Sequence, residues 1–369
     1  MSEESDSSSN NLKCGENFSK QDVFTTESVW NEFSPEQKSN LKKTHLFVYN
    51  LIDSTNTESK RRIEKSGVLL NEDGTFTSDG ENLHKTVIAS AEQSAGRGRL
   101  GRAFYSPSQT GIYFSLIYVP RPSCVTSKKI YNEKQCACSS NSAAEAAVGV
   151  KGESNSKQCG SLEENAKVVA NEKQCACSSN SAPEAAVEVT DDSIFNPATF
   201  TVTAAVCVCR AISKLYKKQA QIKWVNDIYL EGKKICGILT EGVTNKNGKI
   251  EAAIIGIGIN ISTNKDLPEE LSKKVGGITS NEKNQVTRAE LLSQVVEEIF
   301  TSLDLKENVI SEYRSRSMLK NKTLSVTSLI GSNESYTAKA LDITDDAGLL
   351  VELPNGEKKV LHSGEVTLH

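Results

Sequence analysis

The sequence predicts an α+β core followed by a small all-β domain. Three observations predict it. Short apolar segments with strand-like alternation recur across residues 46–119 and 221–261. Two long segments, starting at Pro197 and Thr287, instead carry apolar residues at helical spacing. Finally, the last stretch of about 50 residues is a series of short strands separated by turn residues, the pattern of a small barrel or sandwich.

In chain order, Leu46–Ile52 reads as the first strand and 86–91 as the second. Residues 111–119 alternate and are rich in Ile, Tyr, Phe and Val, so a third strand is expected. Pro197 suits the first turn of a helix because its missing N–H has no partner there, and apolar spacing carries that helix to Tyr216. Residues 221–230 and 234–243 read as two strands joined at Glu231-Gly232-Lys233. Asn247-Gly248 marks a second hairpin leading into 250–261. Thr287-Arg-Ala-Glu290 is a capping box, in which each end residue can satisfy the other's backbone N–H. Leu291, Leu292, Val295, Val296, Ile299, Phe300 and Leu303 give that helix its apolar face. Short strands are expected at 323–329, 336–343, 348–353, 358–362 and 365–368, with turns at Asp345-Asp-Ala-Gly348 and Pro354-Asn-Gly356.

The chain has 369 residues, 37% hydrophobic and 24% charged, with net charge −4. That length allows two domains, and that charge gives no general attraction to nucleic acid or anionic membrane. No run of about 18 apolar residues is present, and the acidic start has neither the basic nor the apolar part of a secretory signal. A cytoplasmic protein is expected. Residues 1–43 are polar and read as a disordered tail with room for a short helix near Val29–Phe33. Residues 122–191 are a low-complexity insertion in which Asn132-Glu-Lys-Gln-Cys-Ala-Cys-Ser-Ser-Asn-Ser-Ala recurs from Asn171. It reads as a passive duplicated loop, with a metal site built from two Cys-Ala-Cys units as the sharper alternative; zinc sites more usually space their cysteines by two to four residues.

Four segments carry chemistry. Asp53-Ser54-Thr55-Asn56 at a strand end is an ordinary helix cap or turn when taken alone. Gln93 precedes Gly96-Arg97-Gly98-Arg99-Leu100-Gly101-Arg102, where glycines allow close approach and arginines offer forked donors to phosphate or carboxylate. Its charges repel, so a mobile loop that settles around an anion is expected, with an RNA-binding Gly-Arg stretch as the alternative. Lys223-Trp224-Val225-Asn226-Asp227, with Lys234 and Gly237 beyond the next turn, sets cations, an aromatic ring and short polar groups side by side. Gly256-Ile-Gly258-Ile-Asn260 fits close sheet packing as well as ligand approach.

In this order the segments resemble the biotin protein ligase family, over roughly 44–121 and 192–369. The specific parts are the Gly-Arg run, the Lys-Trp-x-Asn-Asp-Ile and Lys-x-x-Gly-Ile-Leu runs, and the final Ser363-Gly-Glu365-Val-Thr-Leu. The resemblance implies a catalytic domain over 44–318 with a mixed sheet flanked by helices, like class II synthetases, and an SH3-like barrel over 319–369. It implies ATP and Mg2+ as co-substrate and activator, biotin as substrate, no tightly bound prosthetic group, and a biotin carboxyl carrier protein or domain as partner. Ser54, Thr55, Gln93 and Gly237 are then biotin-binding, as are Arg97, Arg99 and Lys234; Arg99 and Lys234 are also catalytic. Arg102, Trp224, Asn226, Asp227, Gly258 and Asn260 fall on the nucleotide side, with Asp227 the candidate for Mg2+. Val225 departs from the proline usual at that position. The N-terminal region before the first strand has no room for the helix-turn-helix domain of some relatives, so neither DNA nor membrane partners are expected, and a homodimer stays open. None of the four histidines lies in a motif, so a histidine base is not expected. The neighbouring readings are a lipoate ligase, an RNA-binding protein and an inactive binding module.

Overall fold

The structure, a computed structural model, describes residues 22–120, 196–263 apart from 247 and 249, 269–279, 286–327 and 335–368. The duplicated Cys-Ala-Cys insertion with its two readings, and the polar residues 1–21, lie outside the described residues.

Residues 22–43 differ from the expected tail. They form α1 (Thr26–Glu32) and α2 (Pro35–Asn40), capped by Thr25 and Ser34. Val29 and Phe33 are buried in the main core, and Arg288 pairs with Asp22 at 2.7 Å. Few apolar residues suffice here because they are the ones that face inward.

Next come β1 (Leu46–Ile52), α3 (Thr55–Lys65), α4 (Ser78–Leu83), β2 (Thr86–Gln93) and β3 (Gly111–Tyr118). α5 (Pro197–Tyr216) starts where the sequence indicated, with the Asn196 side chain accepting from the Ala198 N–H and Pro197 in the first turn. The expected single strand over 221–230 is instead two, β4 (Gln221–Lys223) and β5 (Asp227–Leu230), which fold back on each other with Lys223 opposite Asp227. β6 (Lys233–Thr244) follows a turn in which Glu231 and Gly232 both have positive φ, a conformation that glycine relieves. β7 (Ile250–Asn260), α6 (Glu269–Ser272) and α7 (Arg288–Asp304) complete this part, and α7 carries the full reciprocal cap between Thr287 and Glu290. α8 (Ile310–Arg316) leads to β8 (Thr323–Thr327), β9 (Ser335–Ile343), β10 (Leu349–Glu352), β11 (Lys358–Leu361) and β12 (Glu365–Leu368).

The larger sheet runs β1-β2-β3-β7-β6-β5-β4, with β1–β2 parallel and the remaining pairs antiparallel. The second sheet, β11-β10-β9-β8-β12, is wholly antiparallel. Strand alternation divides the larger sheet into two unlike faces. One face, with Phe114, Ile238, Ile255, Ile257 and Ile259, is buried under α5 and α7 in the main core. Each fully buried side chain of this size contributes about 1.5–3 kcal/mol. α5 is long and apolar enough to cross a membrane by length and composition, yet 67% of its most apolar window is buried inside the fold. The other face is covered by α3 only over β2, β3 and part of β7, through Ile63, Ile88, Ile117 and Ile254. Farther along, Gly256, Gly258 and Gly237 leave that face bare, and the site forms there.

Candidate active site

α3 begins at Ser54, whose side chain makes no capping hydrogen bond and lines the cavity. Thr55 donates from its N–H (2.9 Å) and Oγ1 (3.3 Å) to Gln93 Oε1, and Gln93 Nε2 donates to Ser106 Oγ at 2.8 Å. Ser115 Oγ, from the strand beneath, lies 2.7 Å from Thr55 Oγ1 and 2.6 Å from Asn56 Oδ1. The result is a neutral polar wall fixed by its own bonds, with one amide N–H of Gln93 still available. Asn56 continues it: its Nδ2 donates to Glu241 Oε2 at 2.8 Å, and its carbonyl occupies the space that Gly256 leaves, 2.0 Å from where a Cβ would stand.

The Gly-Arg run folds as a narrow hairpin over the cavity. Gly98 N–H donates to Arg102 O at 2.7 Å and Phe104 N–H to Gly96 O at 2.8 Å, while Leu100 and Gly101 turn the tip with positive φ. The repulsion expected among its arginines is met by a separate acceptor for each. Arg97 reaches Glu241 at 3.3 Å, Arg99 reaches Asn226 Oδ1 at 2.9 Å and Gly364 O at 3.3 Å, and Arg102 reaches Glu365 at 2.8 Å. Burial lowers the Arg99 guanidinium from its ordinary value, with the charge of Asp227 opposing. Phe104 ends the hairpin, and its ring lies on Gly258 and Gly237, where Cβ atoms would come within 2.4 and 3.1 Å of it. These two glycines are register partners across β6 and β7, so their bareness serves one aromatic ring.

Opposite the hairpin stands the turn 224–226. Its Trp224–Val225 peptide is cis. Trp224 Nε1 donates to Ala347 O at 2.9 Å and Tyr313 Oη to Val225 O at 3.0 Å; Asn226 Nδ2 donates to Ile238 O at 2.9 Å and Ile238 N–H to Asn226 O at 3.0 Å. Four hydrogen bonds therefore fix a turn whose sequence lacks the expected proline. Burial lowers the Lys223 ammonium, again against the pull of Asp227. Lys234 Nζ forms an ion pair with the buried Asp227 Oδ1 at 2.7 Å, and among the described residues no other side-chain donor reaches that oxygen.

A cavity of about 170 Å³ lies among these elements. A neighbouring one of about 650 Å³ shares Arg102, Phe104, Lys223, Asp227 and Lys234 with it and extends to Asn260 and Lys274. The profile of the Biotin/lipoate A/B protein ligase family matches residues 49–173 and 167–260, which contain both the hairpin and the turn.

The chain belongs to this family.

The profile of the biotin protein ligase C terminal domain matches 326–368, within the second sheet. The bifunctional ligase/repressor BirA of Bacillus subtilis (strain 168) is 30% identical over 178 residues, and that of Escherichia coli (strain K12) 29% over 171 residues. Each alignment takes in 46% of this chain and 52% of the relative, so the chain spans about half the length of the curated relatives it matches. Among solved structures, a biotin protein ligase from Aquifex aeolicus in complex with biotin and ATP matches with TM-score 0.54 at 19% identity, over 88% of this chain and 98% of that one. That likeness is one of fold: a mixed sheet with flanking helices and a second antiparallel sheet.

For a member of this family, the structure brings the sequence-derived candidates together. Ser54, Thr55, Gln93, Arg97, Arg99, Arg102, Trp224, Asn226, Asp227, Lys234, Gly237 and Gly258 all line the smaller cavity, and Asn260 lines the larger. Trp224 is a core residue whose indole N–H is already bonded to Ala347, leaving only ring atoms for the cavity. Sequence reasoning assigned no specific role to Asn56, Phe104, Ser115, Glu241 or Glu365. The two-residue spacing of Gly256 and Gly258 was the available signal that one sheet face is bare and that something must cover it.

Proposed function

We propose that this chain activates biotin with ATP, forming biotinyl-5′-AMP and releasing pyrophosphate, and then passes the biotinyl group to a lysine of a biotin carboxyl carrier domain. The observation that carries the reading is one cavity lined by two unlike sets of groups. The neutral polar groups of Ser54, Thr55 and Gln93 line it together with the cations Arg97, Arg99 and Lys234. The neutral groups suit a ureido ring, which has both N–H donors and a carbonyl, with Gly237 leaving room. The cations suit a carboxylate next to a phosphate.

In this reading the cations hold two anions that would otherwise repel, so that a carboxylate oxygen attacks the α-phosphorus as pyrophosphate departs. Arg99 and Lys234 stabilise the charge that develops, and they are already oriented by Asn226 and Asp227. The hairpin shields the resulting mixed anhydride from water. The carrier amine then attacks the acyl carbon and AMP leaves with the electron pair of the broken C–O bond. Arg102, Trp224, Asn226, Gly258 and Asn260 flank the nucleotide. Asp227 is the candidate for Mg2+, an ion that commonly takes one or two carboxylates together with phosphate oxygens, and its Oδ1 would exchange the Lys234 ammonium 2.7 Å away for the ion. When bound, the ion supplies charge neutralisation to the phosphates.

ATP–pyrophosphate exchange with the purified protein tests the reading. Exchange should depend on biotin. Lipoate should support little, because its dithiolane leaves ureido-facing polar groups unpaired at about 1–3 kcal/mol each. Greater exchange with lipoate than with biotin would overturn the choice of substrate.

A further inference from the structure

We propose that Glu241 is the resting partner of Arg97: it pairs with the guanidinium in the free site, competes for it, and yields it to the substrate carboxylate on binding. The inference deepens the proposed function and rests on the cavity being the acid site.

Glu241 lies on β6, and its side chain is 18% exposed. Three donors converge on it. Lys60 Nζ reaches Oε1 at 2.8 Å, Asn56 Nδ2 reaches Oε2 at 2.8 Å, and Arg97 Nη2 reaches Oε1 at 3.3 Å. The first two come from α3 and are short. The third is longer and comes from the hairpin, on a side chain 42% exposed that lines the cavity. Asn56 cannot readily turn away, because Ser115 engages its Oδ1 and that oxygen fills the gap left by Gly256.

This asymmetry permits an exchange. Burial alone would push the Glu241 carboxyl up, but the hydrogen bonds from Lys60 and Asn56, with the charges of Lys60 and Arg97, hold it below its ordinary value. Glu241 therefore keeps two donors when Arg97 leaves. Arg97 in turn trades one carboxylate for another, so no buried charge is left alone and the hairpin is already in place when the acid arrives. An ion pair this exposed biases the equilibrium only modestly, by roughly two- to fivefold.

The test is calorimetric titration of the full-length chain with biotin and with its primary-alcohol analogue, which lacks the carboxylate. Glu241→Gln removes the competitor and should tighten biotin by about two- to fivefold. Lys60→Met leaves Glu241 more dependent on Arg97 and should weaken biotin by a similar factor. Neither change should alter binding of the alcohol, and neither effect should survive in an Arg97→Gln background. Simple structural damage predicts weakening in both variants and for both ligands. Weaker binding of biotin by Glu241→Gln, or changes of the same size with Arg97→Gln, would overturn the exchange. Should Glu241→Gln fail to fold, Lys60→Met with and without Arg97→Gln decides alone. Failure of the wild type to bind biotin would instead overturn the proposed function, and the exchange with it.

Discussion

The hairpin at 96–102 and the turn at 224–226 face each other across one cavity, but they are held by different kinds of interaction. The hairpin's arginines rest largely on acceptors that an anion can replace: a carboxylate at Glu241, another at Glu365, an amide oxygen at Asn226. The turn rests on neutral hydrogen bonds involving Ala347, Tyr313 and Ile238, which an anion cannot replace. The difference teaches how one site can be both formed in advance and responsive. The fixed side sets where Lys234 and Asp227 stand, and the exchangeable side adjusts to the charge that arrives.

The comparison breaks most visibly at Lys234, the cation of the fixed side. Lys234→Ala should lower biotin-dependent pyrophosphate exchange by about a hundredfold or more, since a preoriented charge is lost where negative charge develops. Near-normal rates would remove it from the chemistry. A smaller effect is expected at Tyr313→Phe, which leaves the Val225 carbonyl without its donor. Stability in urea should fall by about 1–3 kcal/mol. Hydrogen exchange should quicken at the turn and not at the hairpin; equal quickening at both would erase the distinction between them. The smallest effect concerns the start of α3. Arg61 makes a bidentate pair with Asp53 (2.8 and 2.9 Å) and, with the Ser54 N–H, lowers that carboxyl from 3.8 to about 2. A folded-state value below the unfolded one means that the pair stabilises above about pH 4 and that its contribution is lost as pH falls toward about 2. Arg61→Met should flatten that acid limb of melting temperature against pH, and an unchanged limb would show that the pair does not matter.

Much of the fold was legible because its signals are local. The capping box at Thr287 and Glu290, Pro197 in the first turn of α5, and the strand 46–52 each depend on neighbours within a few residues. The turn at 224–226 was not legible. Residues 221–230 carry no glycine or proline to break a strand, and the groups that hold the turn come from Tyr313 and Ala347, 88 and 123 residues away. α3 escaped notice for another reason: nearly all of Thr55–Lys65 is polar, and Ile63 is its one large apolar residue in the core. In the site, the charged runs announced themselves. Asn56, Phe104 and Glu241 did not, since their importance comes from room left by glycines on strands far along the chain, or from partners brought there by folding.

Arg99 meets Gly364 and Arg102 meets Glu365 across 265 and 263 residues of sequence. Both acceptors lie at the last strand of the second sheet, so these contacts require that sheet to be in place. The order of assembly follows from this. The larger sheet pairs its strands without the second sheet, while two of the hairpin's arginines gain these acceptors only once the second sheet has docked. A partly folded molecule would thus have its scaffold before it had a closed site. A refolding experiment should recover β-sheet and helix signals first and affinity for small anionic ligands last.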